Sequence, residues 1–382
     1  MSLQALVKLS RLYGADPEFV LAGGGNTSWK DEALLYVKAS GVSLATIDET
    51  GFVRLTRACL ERILSRTFPE RVEEREREVV AALLDCRIPG EEKRPSVETL
   101  LHHVIPYRYV VHTHPALVNG VLCSLEGERI ARELFGEEAL WMPYTTPGYV
   151  LSREFHRVVA GWQGGELPRI VFLQNHGVFV SEDSPEGVIG LYTRLMERIR
   201  PLFPHVPPPF GGVIQPLEGE IPGMLERIVQ EVSAGTSEGV YLMSRDPVFE
   251  ACLAAEEGME GVKGAFTPDH IVYAGPAPLF LPTRGGVPEE EEARARTRGY
   301  LEEYGVLPRI FLLQGEGVVA RASSEKAART ALLLFHDARR ISLCAQTLGG
   351  PRFLAREDVE FILNWEAERF RSRVSLDQGG NR

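Results

Sequence analysis

One twelve-residue pattern occurs twice in this chain. LPRIVFLQNHGV at 167–178 and LPRIFLLQGEGV at 307–318 lie 140 positions apart and share eight identities in twelve. Each copy reads the same way: a short apolar run (RIVFL in the first), a polar turn (QNHG), a second apolar run (VFV), then a helical pattern ending in arginine-rich sequence. In the first copy Ser184 and Pro185 mark the helix start, a polar cap followed by proline at the first helical position. A strand–turn–strand–helix unit used twice calls for an α/β fold. The second unit would then be a diverged partial repeat, with Glu316 standing where the first copy has His176. Seven prolines fall between residues 201 and 223. The stretch PHVPPPFGG can neither continue a helix nor fill a central strand, so it separates two regions, 1–205 and 224–382.

The rest of the pattern agrees with alternating elements. Apolar residues recur at helical spacing from Leu3 to Leu12, with Gly14 as a stop. Leu34–Leu35–Tyr36–Val37 reads as a strand, and Lys38–Ala39–Ser40–Gly41 as the turn that closes it. Residues 70–86 read as a helix with a charged first half, SVETLLHH as a short helix capped by Ser96, and Tyr109–His114 as a strand that Pro115 ends. Farther on, Asp246–Pro247 reads as a helix start, Ile271–Val272–Tyr273 as a strand, and 288–304 as a charged helix.

Charge and cysteine content narrow the function. The chain has 42 Lys and Arg against 53 Asp and Glu, a net charge of −11, which argues against nucleic-acid or anionic-membrane binding but permits a small anion held locally. The five cysteines are odd in number, far apart and without a C-x-x-C pair. They read as small buried hydrophobes in a reducing compartment rather than as a disulfide framework or thiolate zinc site. The first residues lack a signal-peptide core, and no window reaches 18 uninterrupted apolar residues, so the expectation is a soluble cytoplasmic protein without a membrane partner.

The chemistry sits in histidines. His112 and His114 are two apart in a β-branched run, and strand alternation puts both imidazoles on one side, within reach of a common ion at about 2.1 Å from each nitrogen. His176 occupies the Gln-Asn-His-Gly turn directly after a strand, where Gly177 permits a crowded approach. Three imidazoles leave a metal position open for substrate. Glu98, between Ser96 and the strand of His112, is the candidate acid or base; a helix-dipole role is the plainer alternative. The Gly23–Gly24–Gly25–Asn26–Thr27–Ser28 run lacks the P-loop and dinucleotide spacings, yet with Ser40, Gly41 and Ser96 it offers amides and hydroxyls that suit a phosphate, and Lys30 or Lys38 could add charge. His102 and His103 diverge by about 100° on their helix and read as packing or supporting residues. Tyr144, Tyr149, His270 and Glu316 are weaker options.

The motifs GGGNTSWK (23–30), KASG (38–41), RPSVE (94–98), VHTHP (111–115) and QNHG (174–177) occur in the order of the class II aldolase/adducin family, which this sequence resembles over roughly residues 15–200. Its longer layout is most similar to the aldolase portion of bifunctional rhamnulose-1-phosphate aldolase/dehydrogenase proteins. No second dinucleotide fingerprint occurs here, so the expectation is that any dehydrogenase partner is a separate protein or absent. The resemblance implies a three-layer α/β/α sheet domain and a divalent metal, zinc first, on His112, His114 and His176. It implies Glu98 as the catalytic carboxylate, and Asn26, Thr27, Ser28, Ser40, Gly41 and Ser96 around a sugar phosphate. It also implies a homo-oligomer with active sites near subunit interfaces. The reaction implied is reversible cleavage of a ketose 1-phosphate to dihydroxyacetone phosphate and an aldehyde. A sugar-phosphate 4-epimerase and a non-catalytic adducin-like assembly module are the competing expectations.

Overall fold

The computed structural model describes residues 3–210, 212–233 and 239–377. The parts of the expected 1–205 and 224–382 regions at 1–2, 234–238 and 378–382, and the first glycine after Phe210, lie outside the described residues. Two compact units form: one from the described parts of Met1–Leu122, Gly127–Leu202 and Arg373–Ser375, the other from Cys123–Glu126, Phe203–Ser372 and the described part of Leu376–Arg382. No described helix is long and apolar enough to cross a membrane.

The first unit runs α1 (Leu3–Gly14), β1 (Asn26–Lys30), β2 (Leu34–Lys38), β3 (Phe52–Thr56), α2 (Arg57–Ser65), α3 (Val72–Asp85), α4 (Thr99–Val104), β4 (Tyr109–Thr113), α5 (Ala116–Leu122), α6 (Gly127–Phe135), β5 (Ala139–Met142), α7 (Tyr149–Ala160), β6 (Ile170–Leu173), β7 (Gly177–Glu182) and α8 (Pro185–Ile199). Its strands form one sheet, in the order β3-β2-β1-β4-β7-β6-β5 among the described residues, antiparallel except for the β5–β6 pair. Alternation in the central strands feeds two cores. Val110, Val171 and Phe179 pack with Leu101 of α4 and Leu151 and Phe155 of α7. Thr113, of the other parity on β4, meets the Tyr192 hydroxyl of α8 at 2.9 Å. Helices therefore cover both faces, the expected three-layer α/β/α arrangement. Ser184 caps α8 as expected, accepting from the Gly187 amide, with Pro185 at the first turn.

The second unit contains β8 (Ile214–Pro216), α9 (Ile221–Ser233), β9 (Val240–Ser244), α10 (Glu250–Ala254), α11 (Pro268–Ala274), β10 (Leu279–Leu281), a small ribbon of β11 (Thr283–Arg284) and β12 (Val287–Pro288), α12 (Glu290–Tyr304), β13 (Ile310–Leu313), β14 (Gly317–Ala322), α13 (Glu325–Gln346), α14 (Arg356–Asn364) and α15 (Glu366–Asp377). Its sheet order, β10-β13-β14-β9-β8, reproduces β5-β6-β7-β4-β1, with the parallel pair in the same place. The register agrees residue by residue. Leu173 pairs with Gly177 and Ile170 with Val180 in the first unit; Leu313 pairs with Gly317 and Ile310 with Ala320 in the second. Asn175 and Gly315, both left-handed, donate their amides to the carbonyls of Leu122 and Leu253. Ser324 caps α13 as Ser184 caps α8. The repeated sequence thus follows one chain path twice.

This equivalence assigns positions. His112 pairs with Phe179, and Met243 with Val319, the residue 140 beyond Phe179. Met243 and Arg245 therefore stand where the first unit has His112 and His114. Arg245 donates to the Glu316 carbonyl at 3.1 Å and approaches its carboxylate at 3.5 Å. An ion pair fills in the second unit the place that imidazoles hold in the first.

Four local readings are corrected. Asn26–Thr27–Ser28 is not loop but the start of β1, because it pairs with both β2 and β4. The helix after Ser96 begins at Thr99, and the Ser96 hydroxyl accepts from the Glu98 amide at 3.3 Å instead of capping at the expected position. Ile271–Val272–Tyr273 is helical, inside α11, whose first-turn Pro268 fixes the entry. Cys59 and Cys86 form a disulfide with Cα atoms 5.3 Å apart, brought together because Leu55 on β3 bridges Arg87 at the end of α3. Cys123, Cys252 and Cys344 are buried and not disulfide-bonded.

Candidate metal and acid-base site

The site forms where β4 ends and β7 begins. These strands are antiparallel neighbours with Thr113 opposite Val178. The last residues of β4 therefore lie beside the β6–β7 turn, and His112, His114 and His176, 64 positions apart at the extremes, become one cluster. Their ligand-capable atoms all lie within 4.8 Å of one another. Gly177 is required by space: a Cβ there would sit 2.5 Å from His114 Cδ2, 2.6 Å from the Thr113 carbonyl and 3.1 Å from His112 Cε1.

The His112 ring is completely buried, stacked on Phe179 at 4.1 Å. Its Nδ1 lies 3.1 Å from the Val178 carbonyl, which can only accept, so Nδ1 carries the proton and Nε2 presents a lone pair. That Nε2 is 2.9 Å from His114 Nε2. The Asn119 amide holds the turn by donating to the His176 carbonyl at 3.3 Å.

Glu98 closes the cluster from the far side. Its side chain is 5% exposed, with Oε1 3.4 Å from His112 Nε2 and 3.3 Å from His176 Nε2. Oε1 accepts no hydrogen bond, whereas Oε2 accepts from Asn26 Nδ2 at 2.5 Å. A buried carboxylate oxygen without a donor among the described residues, facing two imidazoles of a three-histidine cluster in which one has its lone pair aimed inward, is a donor set that a divalent cation completes. The residues fit a metal.

Asn26 also meets His102 Nε2, and His102 Nδ1 lies 2.7 Å from the Ser28 hydroxyl. Lys30, buried, donates to the His102 carbonyl at 2.5 Å. Burial pushes both the His102 imidazole and the Lys30 ammonium well below their usual pKa ranges, with repulsion from Lys30 adding to the shift of His102 and repulsion from Arg57 to that of Lys30. The Thr27 hydroxyl is bonded to Ser10 at 2.6 Å. The two hydroxyls of β1 are thus engaged inside the protein. Ser40 and Ser96 come together by a different route: Ala39 bridges Pro95, and the Ser40 and Ser96 amides donate to the carbonyls of Arg94 and Lys38.

Other candidates stand apart. His103 turns to Glu61 at 3.0 Å, and Tyr149 packs on Phe68 with its hydroxyl donating to the Arg66 carbonyl. His270 and Glu316 belong to the second unit, where His270 faces Asp337 at 3.4 Å. The residues missing from the sequence reading are the supports Val178, Phe179 and Asn119, and the link from Asn26 to His102. For His102 a signal existed: it lies four positions after Glu98, one helical turn on.

Against known families, residues 4–199 match the model described as Class II Aldolase and Adducin N-terminal domain. A curated relative, the uncharacterized oxidoreductase YuxG of Bacillus subtilis (strain 168), is 26% identical over 411 residues; the match covers 97% of this chain and 58% of the relative's length. Among solved structures, the N-terminal class II aldolase domain of a conserved protein from Thermoplasma acidophilum is 29% identical with a TM-score of 0.45, covering 53% of this chain and 94% of that one. The L-fuculose-1-phosphate aldolase of Thermus thermophilus is 18% identical with a TM-score of 0.35, covering 53% and 93%.

Proposed function

We propose, from the premise that this chain belongs to the class II aldolase and adducin family, that it is a metal-dependent carbon–carbon lyase. In this reading it reversibly splits a ketose 1-phosphate, of the rhamnulose 1-phosphate type, into dihydroxyacetone phosphate and an aldehyde. The observation that carries the reading is the meeting of His112, His114 and His176 with the bare Oε1 of buried Glu98. An ion bound by the three histidines, zinc in our assignment, would supply Lewis-acid stabilisation for the carbonyl and neighbouring hydroxyl oxygens of the ketose.

The protein's own groups do the rest. His112 is held in the tautomer that keeps Nε2 available, because Val178 takes the Nδ1 proton as a hydrogen bond. Glu98 is anchored through Oε2, so Oε1 is the atom that moves a proton: it takes up the proton that the C4 hydroxyl releases as the C3–C4 bond breaks and that carbon becomes the aldehyde, gives one to C3 of the three-carbon fragment, and reverses both transfers in the synthetic direction.

For the phosphate, the set Asn26, Thr27, Ser28, Ser40, Gly41 and Ser96 narrows. Asn26, Thr27 and Ser28 are occupied by Glu98, Ser10 and His102, and the Ser40 and Ser96 amides already donate to backbone carbonyls, which leaves the Ser40 hydroxyl, the Gly41 amide and the proton of the Ser96 hydroxyl as the edge we assign to phosphate recognition. The reading includes a homo-oligomer with active sites near subunit interfaces. It also includes a cytoplasmic setting, where phosphorylated sugars are retained and the Cys59–Cys86 bond is exposed to reduction.

The test is a coupled assay over rhamnulose, fuculose and ribulose phosphates, scoring triose phosphate release and epimer formation separately. Release of dihydroxyacetone phosphate from a deoxyhexulose 1-phosphate supports the lyase. Epimer accumulation from a pentulose 5-phosphate without fragments would replace it with a 4-epimerase, and turnover of free ketoses alone would remove the phosphate assignment.

A further inference from the structure

The hydrogen bonds behind Glu98 continue into a buried line across β1 and α4. Each link fixes the next. An ionised carboxylate oxygen only accepts, so Asn26 must present Nδ2 to Glu98 Oε2, 2.5 Å away. That turns Asn26 Oδ1 toward His102, whose Nε2 must then donate. With the proton on Nε2, Nδ1 is an acceptor, and the Ser28 hydroxyl donates to it at 2.7 Å. The opposite amide orientation would place Asn26 Oδ1 against Glu98 Oε2, two acceptors at hydrogen-bond distance. The His102 tautomer therefore decides which way the Asn26 amide faces, and the amide decides which carboxylate oxygen is tied.

The backbone supports the same arrangement. The His102 amide donates to the Glu98 carbonyl at 3.1 Å, so the two residues are one turn apart at the start of α4, and Lys30 Nζ donates to the His102 carbonyl at 2.5 Å. Ser28, Asn26 and Lys30 alternate along β1 and therefore share the face that meets α4. In the second unit Gln215 stands at the position of Asn26, pairing with Met243 as Asn26 pairs with His112.

We propose that His102 is a positioning residue that, through Asn26, holds the Glu98 carboxylate with Oε1 toward the three imidazoles and Oε2 withdrawn. The catalytic part of the proposal rests on the lyase reading. The tautomer rests on the geometry alone.

Two measurements test it. In the protein labelled with 15N-histidine and without added metal, the His102 side chain, identified by the signals lost in H102Q, shows a protonated Nε2 and a bare Nδ1. A protonated Nδ1 overturns the relay. In the assay, H102L lowers kcat by about 10- to 100-fold with KM and metal content little changed, the usual scale for losing a supporting hydrogen bond. H102Q, whose side-chain nitrogen can donate from near the Nε2 position, restores most of kcat. Wild-type kcat in H102L overturns the proposal, as does a folded H102Q no better than H102L. If the wild type cleaves no ketose phosphate, the lyase reading falls while the nitrogen spectrum still decides the relay.

Discussion

Gly177→Ala adds one methyl group to the first residue of β7, and the structure says where it goes. Gly177 does not have a positive φ, so the backbone conformation itself accepts alanine. The cost is contact: the new carbon would sit 2.5 Å from His114 Cδ2 and 2.6 Å from the Thr113 carbonyl. Carbon atoms rest at about 3.5 to 4.0 Å, so the His114 ring must retreat by about 1 Å. The Thr113 carbonyl cannot yield easily, since β4 is held by ladders on both sides. Overpacking of this kind costs about 1 to 3 kcal/mol of stability. A 1 Å misplacement of a functional group costs on the order of 10²-fold in turnover, and ligand distances in metal sites tolerate only about 0.2 Å. The matched control is Gly317→Ala in the second unit, where the added carbon would meet the Ser244 carbonyl at 2.8 Å and Met243 Cε at 3.1 Å. Both variants should lower the urea midpoint, while only G177A should lose bound metal on dialysis against a chelator. G177A retaining wild-type metal affinity would refute the steric argument and with it the placement of His114.

Three further outcomes are expected. E98Q keeps the size of the side chain but removes the base, so elemental analysis should find metal retained while turnover falls by about 10²-fold or more; near-normal turnover would mean another group moves the proton. Placing histidines at the equivalent positions of the second unit, M243H with R245H and E316H, should raise bound cobalt from one to two ions per chain if the two units share a chain path to the side-chain level. An unchanged stoichiometry would limit the equivalence to the backbone. Protein denatured without reductant should titrate three thiols, Cys123, Cys252 and Cys344, and five after reduction; five before reduction would contradict the Cys59–Cys86 pair.

The metal cluster is legible in sequence because its geometry is local or nearly so. His-x-His on a strand shares a face by alternation, and the turn histidine follows directly from an apolar run ending in a polar turn and glycine. The repeat is equally legible, since eight matched residues at one offset carry strand, turn and strand together. What escapes is pairing between distant segments. Nothing local marks Asn26–Ser28 as a central strand, because its partners are β2 on one side and β4, more than 80 residues on, on the other. A separation of 74 residues also hides the contact of Ser28 with His102. Cys59 and Cys86 likewise meet only after β3 and the end of α3 are side by side. Ile271–Tyr273 fails for another reason: three β-branched or aromatic residues suit a strand, yet the Thr267–Pro268 entry sets a helix and tertiary packing decides.

The central claim is that His112, His114 and His176 hold one divalent cation beside Glu98. Anomalous diffraction above the zinc absorption edge, from crystals grown with one equivalent of zinc, tests it most directly. A single strong peak per chain is expected, within ligand distance of all three imidazoles and on the Oε1 side of Glu98. A peak elsewhere, or none at the three histidines, would contradict it.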